Sequence, residues 1–332
     1  MLRKKLTQSL AIGSLALLLA ACNNNTKASD DTVIIYSNAD DEAITIMQDT
    51  LDDNGFKSQY KIQPIGTSEL GGKMLAEGNG IEADVITMAS YYIDSAQAQH
   101  HMFKELPATS EPIQQTSSIQ RPILGNTGAL FINTEALKAA GLPKPTSLND
   151  LTDPRYKNQL SFPNMLDSST GWLLVQAVFA EYGEKEGKTI LTKLFNNAGP
   201  HVESSGSGPI KKVTSGEVAI GFGLRAQAVD AKENGLPIDY VDPTEGNYSL
   251  VESVAVVDHE ENDKEKKAAE MAEVIAEKAR PALMEQYPVA LYKGETLKKT
   301  QQPAHLKQWN KPLSVKLLEQ HQMIYKEAKG EN

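Results

Sequence analysis

Three times between Thr32 and Tyr92 the chain runs from a short apolar stretch into a polar turn, and the first two turns open a helical pattern. Thr32–Tyr36 is a β-branched run. The turn Ser37-Asn38-Ala39-Asp40 follows it and can cap a helix from Asp41 to about Asn54. Tyr60–Ile65 leads through Gly66-Thr67-Ser68-Glu69 into a helix ending near Glu77. Asp84–Met88 ends in Ala89-Ser90-Tyr91. Compact apolar runs of this kind read as buried strands of a parallel sheet. Their repetition with helices between them predicts an α/β architecture. Ligands of such sheets bind beyond the carboxyl ends of the strands, so the three turns are expected on one edge.

A second series begins near Leu160. Asp167-Ser168-Ser169-Thr170-Gly171 precedes a helical pattern over Trp172–Tyr182 and another over Leu191–Asn197. Glu203–Pro209 carries Ser205-Gly206-Ser207 and starts a helix with proline in its first turn. Val218–Phe222 is a strand that ends at Gly223-Leu224-Arg225, and Leu250–Val257 is a long extended run. The tail from Pro303 to Asn332 reads as polar helix and is expected against the first half of the chain. A length of 332 residues suits two domains.

Charge and cysteine usage exclude whole classes. A formal charge of −10 gives no basic footprint for nucleic acid. One cysteine allows no intrachain disulfide and no four-cysteine metal site. That cysteine stands at a telling place. Arg3, Lys4 and Lys5 precede an apolar stretch, Leu10–Ala21, too short for a membrane span and apt for a signal peptide. The junction Leu19-Ala20-Ala21-Cys22 resembles a bacterial lipobox, which implies cleavage before Cys22 and a diacylglycerol anchor. Residues 1–21 are then the signal peptide and 22–31 a polar, lipidated tether. A lipid-anchored protein on the extracytoplasmic face of a bacterial membrane is the expectation.

The stretches Val33–Asp40, Gly66–Glu77, Ala83–Tyr92, Gly125–Asn133, Asp167–Trp172, Ser204–Gly208 and above all Lys211–Gly221 resemble the solute-binding proteins of ABC importers. Within these the chain is similar to the subgroup of ferric-iron, thiamine, sugar-phosphate and 2-aminoethylphosphonate binders. The resemblance spans Thr32 to about Tyr292. It implies a two-lobed, periplasmic-binding-protein clamshell, each lobe a mainly parallel sheet flanked by helices, with two hinge crossovers. The first lobe is expected to hold 32–125 and 250–332, the second 126–249. It also implies a permease and its ATPase as partners, no cofactor and a monomer.

Hydroxyl-rich turns at helix starts offer N–H and O–H donors to an anion. The candidate ligand residues are therefore Ser37, Asn38, Thr67, Ser68, Ser90, Tyr91, Ser169, Thr170, Ser205 and Ser207. Arg225, at a strand's carboxyl end, is the candidate to grip a phosphonate bidentately, and Glu245 is a candidate acid for an amino group, beside Glu203, Tyr36 or Tyr91. A small phosphonate such as 2-aminoethylphosphonate, or an organophosphate, is the expected solute. Ferric iron is the alternative. The subgroup's iron binders usually present an adjacent tyrosine pair after a strand like Val218–Phe222, where this chain has Gly223-Leu224-Arg225-Ala226; Tyr36, Tyr91, Tyr240 and Tyr248 remain as iron candidates. A lipid-anchored hydrolase is the reading from another class, but no Gly-x-Ser-x-Gly elbow with a suitable His and acid, and no phosphate loop, is present. No catalytic residue and no metal ligand is assigned.

Overall fold

The computed structural model describes residues 31–107, 109–259, 263–310 and 312–331. The signal peptide, Cys22 and the tether up to Asp30 lie outside them. Strand β1 (Val33–Ser37) is buried along nearly its whole length. It pairs in parallel with β2 (Tyr60–Pro64) on one side and β3 (Val85–Ala89) on the other. Helix α1 (Asp41–Leu51) follows β1, α2 (Thr67–Glu77) follows β2, and α3 (Ser90–His100) follows β3. Asp40 starts α1 by accepting from Ala43 N–H at 3.1 Å.

The hinge is built from β4 (Arg121–Asn133) and β9 (Ser249–Val256). Arg121–Thr127 pairs antiparallel with β9, which also pairs antiparallel with β3. From Gly128 onward β4 changes partners and pairs with β7 (Ile220–Leu224) and β8 (Ile238–Val241). A Cβ on Gly128 would meet the Phe222 ring at 2.6 Å, so the change of partners needs glycine there. Beyond β7 lie β5 (Leu160–Pro163) and β6 (Val202–Glu203), both in parallel pairing. The order is β2-β1-β3-β9-β4-β7-β5-β6, with β8 on β4. The parallel ends match the α/β reading, and the joint between them is antiparallel.

Helices α4 (Thr134–Ala139), α5 (Ser169–Ala198), α6 (Gly208–Thr214) and α7 (Arg225–Glu233) belong to the second lobe. The two helical patterns after Gly171 are two helical segments of α5 that meet at a kink at Gly183, whose φ of 73° is not helical. Helices α8 (Asp263–Glu277) and α9 (Arg280–Gln286) cover one face of the first lobe, where Met271, Ile275 and Leu283 pack against Val33, Ile35, Met47 and Leu51. A second core runs through Trp172, Phe162 and Leu191, and a small third one joins Phe131, Val213 and Ala228.

The tail departs from expectation. Helix α10 (Val315–Lys329) lies along α5, with His321 edge-on to Trp172 and Phe179 and Tyr325 edge-on to Phe195. Only its start reaches the first lobe, where Val315 N–H donates to Ser95 Oγ at 3.4 Å. The apolar face of α5 between Trp172 and Phe195 needs a cover, and α10 supplies it.

Candidate functional site

A cavity of about 690 Å³ lies between the lobes. Leu124 and Asn126 of the hinge strand border it. On the second-lobe side α5 begins, with Ser168 as its cap: Ser168 Oγ accepts from Thr170 N–H at 3.3 Å. The loop Ser204–Ser207 packs directly over that first turn. A Cβ on Gly206 would fall 2.5 Å from Thr170 Oγ1, so glycine permits the approach. The hydroxyls of Ser169, Thr170, Ser204, Ser205 and Ser207 line this wall and hydrogen-bond to no other described residue. Lys211 lies on the same wall, exposed and without an ion-pair partner among the described residues.

The first-lobe side is acidic. Asp40, Asp41, Glu42 and Glu252 line it, with Tyr287 beyond α9. Tyr287 OH donates to Asp40 Oδ1. Glu252, on β9, is only 3% exposed. Asn126 Nδ2 donates to its Oε1 at 3.2 Å, and its Oε2 has no partner among the described residues. Burial, together with the charge of Asp40, pushes the Glu252 carboxyl up to about 8, while the amides of Asn38 and Asn126 beside it act the other way. Burial raises Asp40 as well, and Tyr287 is raised by burial and by Asp40. Asp167 and Asp230 add carboxylates on the second-lobe side, and Lys211 is the one basic residue among those lining the cavity.

The structure gathers six of the candidate residues here: Asn38, Thr67, Ser169, Thr170, Ser205 and Ser207 all line the cavity. Asn38 Nδ2 donates to Thr67 Oγ1 at 3.1 Å. Ser68 sits at the margin and donates to the Leu166 carbonyl at 2.5 Å.

Five candidates lie elsewhere. Ser37 is fully buried and accepts from Thr87 Oγ1 at 2.7 Å, locking β1 to β3. Ser90 turns back to the hinge and bonds Val251 O at 3.1 Å and Ser253 Oγ at 2.8 Å. Tyr91 is core, edge-on to Trp172 at 4.9 Å. Its burial raises the phenol well above the usual range. Glu245 is 1% exposed and accepts from Leu148 N–H, Asn149 N–H and Tyr182 OH, so it anchors a loop of the second lobe.

Arg225 is the instructive correction. All five of its donors are used inside the protein. Nε and Nη2 donate to Asp242, and Nη1 and Nη2 also donate to the carbonyls of Thr300, Gln301 and Gln302. Its guanidinium lies 4.4 Å from the centre of the Tyr240 ring. A guanidinium so committed has nothing left for a ligand.

Of the iron candidates, none lines the cavity. Tyr36 OH donates to Glu82 at 3.0 Å, Tyr240 stacks under Arg225, and Tyr248 stacks on Trp309 with centroids 3.9 Å apart. Among the described residues no group of three His, Cys, Asp or Glu is arranged to hold a metal ion, and no helix is long and apolar enough to cross a membrane.

A family model described as bacterial extracellular solute-binding protein matches residues 85–313. A putative 2-aminoethylphosphonate-binding periplasmic protein from Salmonella typhimurium is 27% identical over 46% of this chain and 44% of its own. The matched segment is thus less than half the length of that relative. Among solved structures, a periplasmic thiamin binding protein superposes with a TM-score of 0.73 at 15% identity, covering 90% of this chain and 96% of its own. Iron-bound HitA from Pseudomonas aeruginosa gives 0.69 at 22% identity, covering 90% and 99%. At these identities the structures establish the two-lobed fold.

Proposed function

Because the chain belongs to the bacterial extracellular solute-binding proteins, we propose that it is the capture component of an ABC importer. On this reading it takes a small phosphonate such as 2-aminoethylphosphonate, or a related organophosphate, between its lobes and delivers it to a permease with its ATPase. The observation that carries the reading is the second-lobe wall. Five hydroxyls without a partner among the described residues surround the first turn of α5, whose N-terminus is electropositive, and Lys211 supplies a positive charge. Three anionic oxygens suit such a donor-rich wall. The Salmonella relative's name points to the same chemistry.

Lys211 takes the role that the sequence suggested for Arg225. Cys22 is the proposed lipid attachment, and the extracytoplasmic membrane face is the proposed location. Detergent partitioning of Cys22→Ala tests the anchor: the variant is expected in the aqueous phase. The role is one of binding and release, and turnover of phosphate esters by the purified protein would contradict it.

Titration calorimetry with ethylphosphonate and 2-aminoethylphosphonate tests the wall. Thr170→Val and Ser205→Ala are each expected to weaken binding about threefold to tenfold, as loss of a hydrogen bond worth about 0.5–1.5 kcal/mol predicts. Affinity unchanged in both variants would remove the wall from the binding site.

A further inference from the structure

The first-lobe wall holds two carboxyls with no cation against them. Glu252 is nine-tenths buried or more, lines the cavity and leaves Oε2 without a donor. Asn38 Oδ1 beside it is likewise without one. Asp40 shares the wall, with Oδ1 taken by Ala43 N–H and Tyr287 OH. Neither Asp40 nor Glu252 makes an ion pair with a described residue. Turning the Asn38 amide over would give Glu252 one more N–H, yet the carboxyl would still face a second carboxyl with no cation in contact. A buried acceptor left unmet costs about 1–3 kcal/mol, and more when charged.

No described residue sets a cation against these two carboxyls, so a cationic partner for them has to be supplied from outside the protein. It must carry several N–H groups, accept nothing and bear positive charge. A primary ammonium has these properties. We propose that Glu252, with Asp40 and Asn38, forms the ammonium-binding end of the cleft and selects solutes that carry a primary amine opposite their anionic group. This rests on the reading that the hydroxyl wall holds the anion. The cleft then has two ends, donors on the second lobe and acceptors on the first. A zwitterionic solute bridges the lobes and favours the closed state with both of its charges. The acidic lining of the first-lobe side, which would oppose a simple dianion, is accounted for in the same way.

The test compares 2-aminoethylphosphonate with ethylphosphonate, which lacks the amine, by titration calorimetry on wild type, Glu252→Gln and Asp40→Asn. Wild type is expected to prefer the amine ligand by tenfold or more, and each variant to reduce that preference to less than threefold. Two variants are used so that a folding failure in one, seen as a lost thermal transition, leaves the other to decide. A wild-type preference near one, or a preference that survives in a folded variant, overturns the ammonium end while leaving the phosphonate reading in place. Binding of neither phosphonate to wild type overturns the phosphonate reading and this inference with it.

Discussion

Ser68 Oγ donates to the Leu166 carbonyl at 2.5 Å and thereby ties the first turn of α2 to the segment that leads into α5. This bond crosses from one lobe to the other at the margin of the cavity, beside the lining residues Thr67 and Asp167. A contact of this kind exists only when the lobes are together, so it adds its free energy to the closed state alone. Ser68→Ala is expected to weaken solute binding about twofold to tenfold, from a bond worth about 0.5–1.5 kcal/mol, and to leave the thermal midpoint of the empty protein within about two degrees. Small-angle scattering checks the mechanism: wild type at saturating solute has a smaller radius of gyration than without it. An unchanged radius contradicts hinge closure.

Arg225→Ala is predicted to act on stability. The change leaves Asp242 buried with only Asn247 Nδ2 and Ala304 N–H to answer it, and strands three carbonyls. Breaking a buried pair in this way costs about 3–5 kcal/mol. Chemical denaturation is expected to show that loss, and Arg225→Lys is expected to recover little, since lysine cannot reproduce the fork. A stable Arg225→Ala protein that binds phosphonate poorly would return Arg225 to the site.

Lys211→Gln is predicted to do the reverse. Lys211 is exposed and makes no ion pair with a described residue, so folding does not depend on its charge. A charge-assisted hydrogen bond contributes about 1.5–3 kcal/mol, which sets the expected loss of phosphonate affinity at tenfold or more. Calorimetry showing full affinity would mean that hydroxyls and backbone alone hold the anion.

The contrast between Arg225 and Lys211 shows what sequence reasoning can reach. Turns at strand ends were legible: Asn38, Thr67, Ser169, Thr170, Ser205 and Ser207 are local features, and strand–turn–helix periodicity puts them on one edge. Partners that arrive from far along the chain were not. The carbonyls of Thr300–Gln302 that occupy Arg225 carry no side-chain signal at all. Glu252 and Tyr287 reach the cavity only because β9 returns to pair with β3 and β4 and α9 follows it. Ser90 and Tyr91 match the pattern of the other turns, but β3 has β9 on its flank, and the first turn of α3 is absorbed by that contact and by the core. The C-terminal helix was legible as a helix, while its position against α5 depends on a tertiary face that polarity alone does not reveal.

Two buried groups contribute to the pH dependence with opposite signs. Burial lowers His321 to about 4, and its Nδ1 accepts from Trp172 Nε1 at 3.1 Å. The unfolded chain therefore binds more protons between about pH 6.5 and 4, and the fold loses stability as pH falls through that window. Glu252, raised to about 8, behaves in the opposite sense: the folded state holds the extra proton, and stability falls as pH rises from about 4.5 to 8. The groups that face it are Asp40, Tyr91 and Tyr287, with Asp41 and Glu42 behind Asp40, and none is a cation. Thermal midpoints across pH 4 to 9 for wild type, His321→Gln and Glu252→Gln separate the two limbs. If the alkaline decline persists in Glu252→Gln, that carboxyl is not its source.

A thermal-shift panel of 2-aminoethylphosphonate, ethylphosphonate, a sugar phosphate, thiamine, a polyamine and ferric citrate decides between a two-ended phosphonate cleft and an iron site. A solute at one hundred times its dissociation constant stabilises a protein by about 2.7 kcal/mol, which the melting temperature reports clearly. The two-ended cleft predicts the largest rise with 2-aminoethylphosphonate and a smaller one with ethylphosphonate. A rise with ferric citrate alone, accompanied by a visible tyrosinate charge-transfer band, would contradict it.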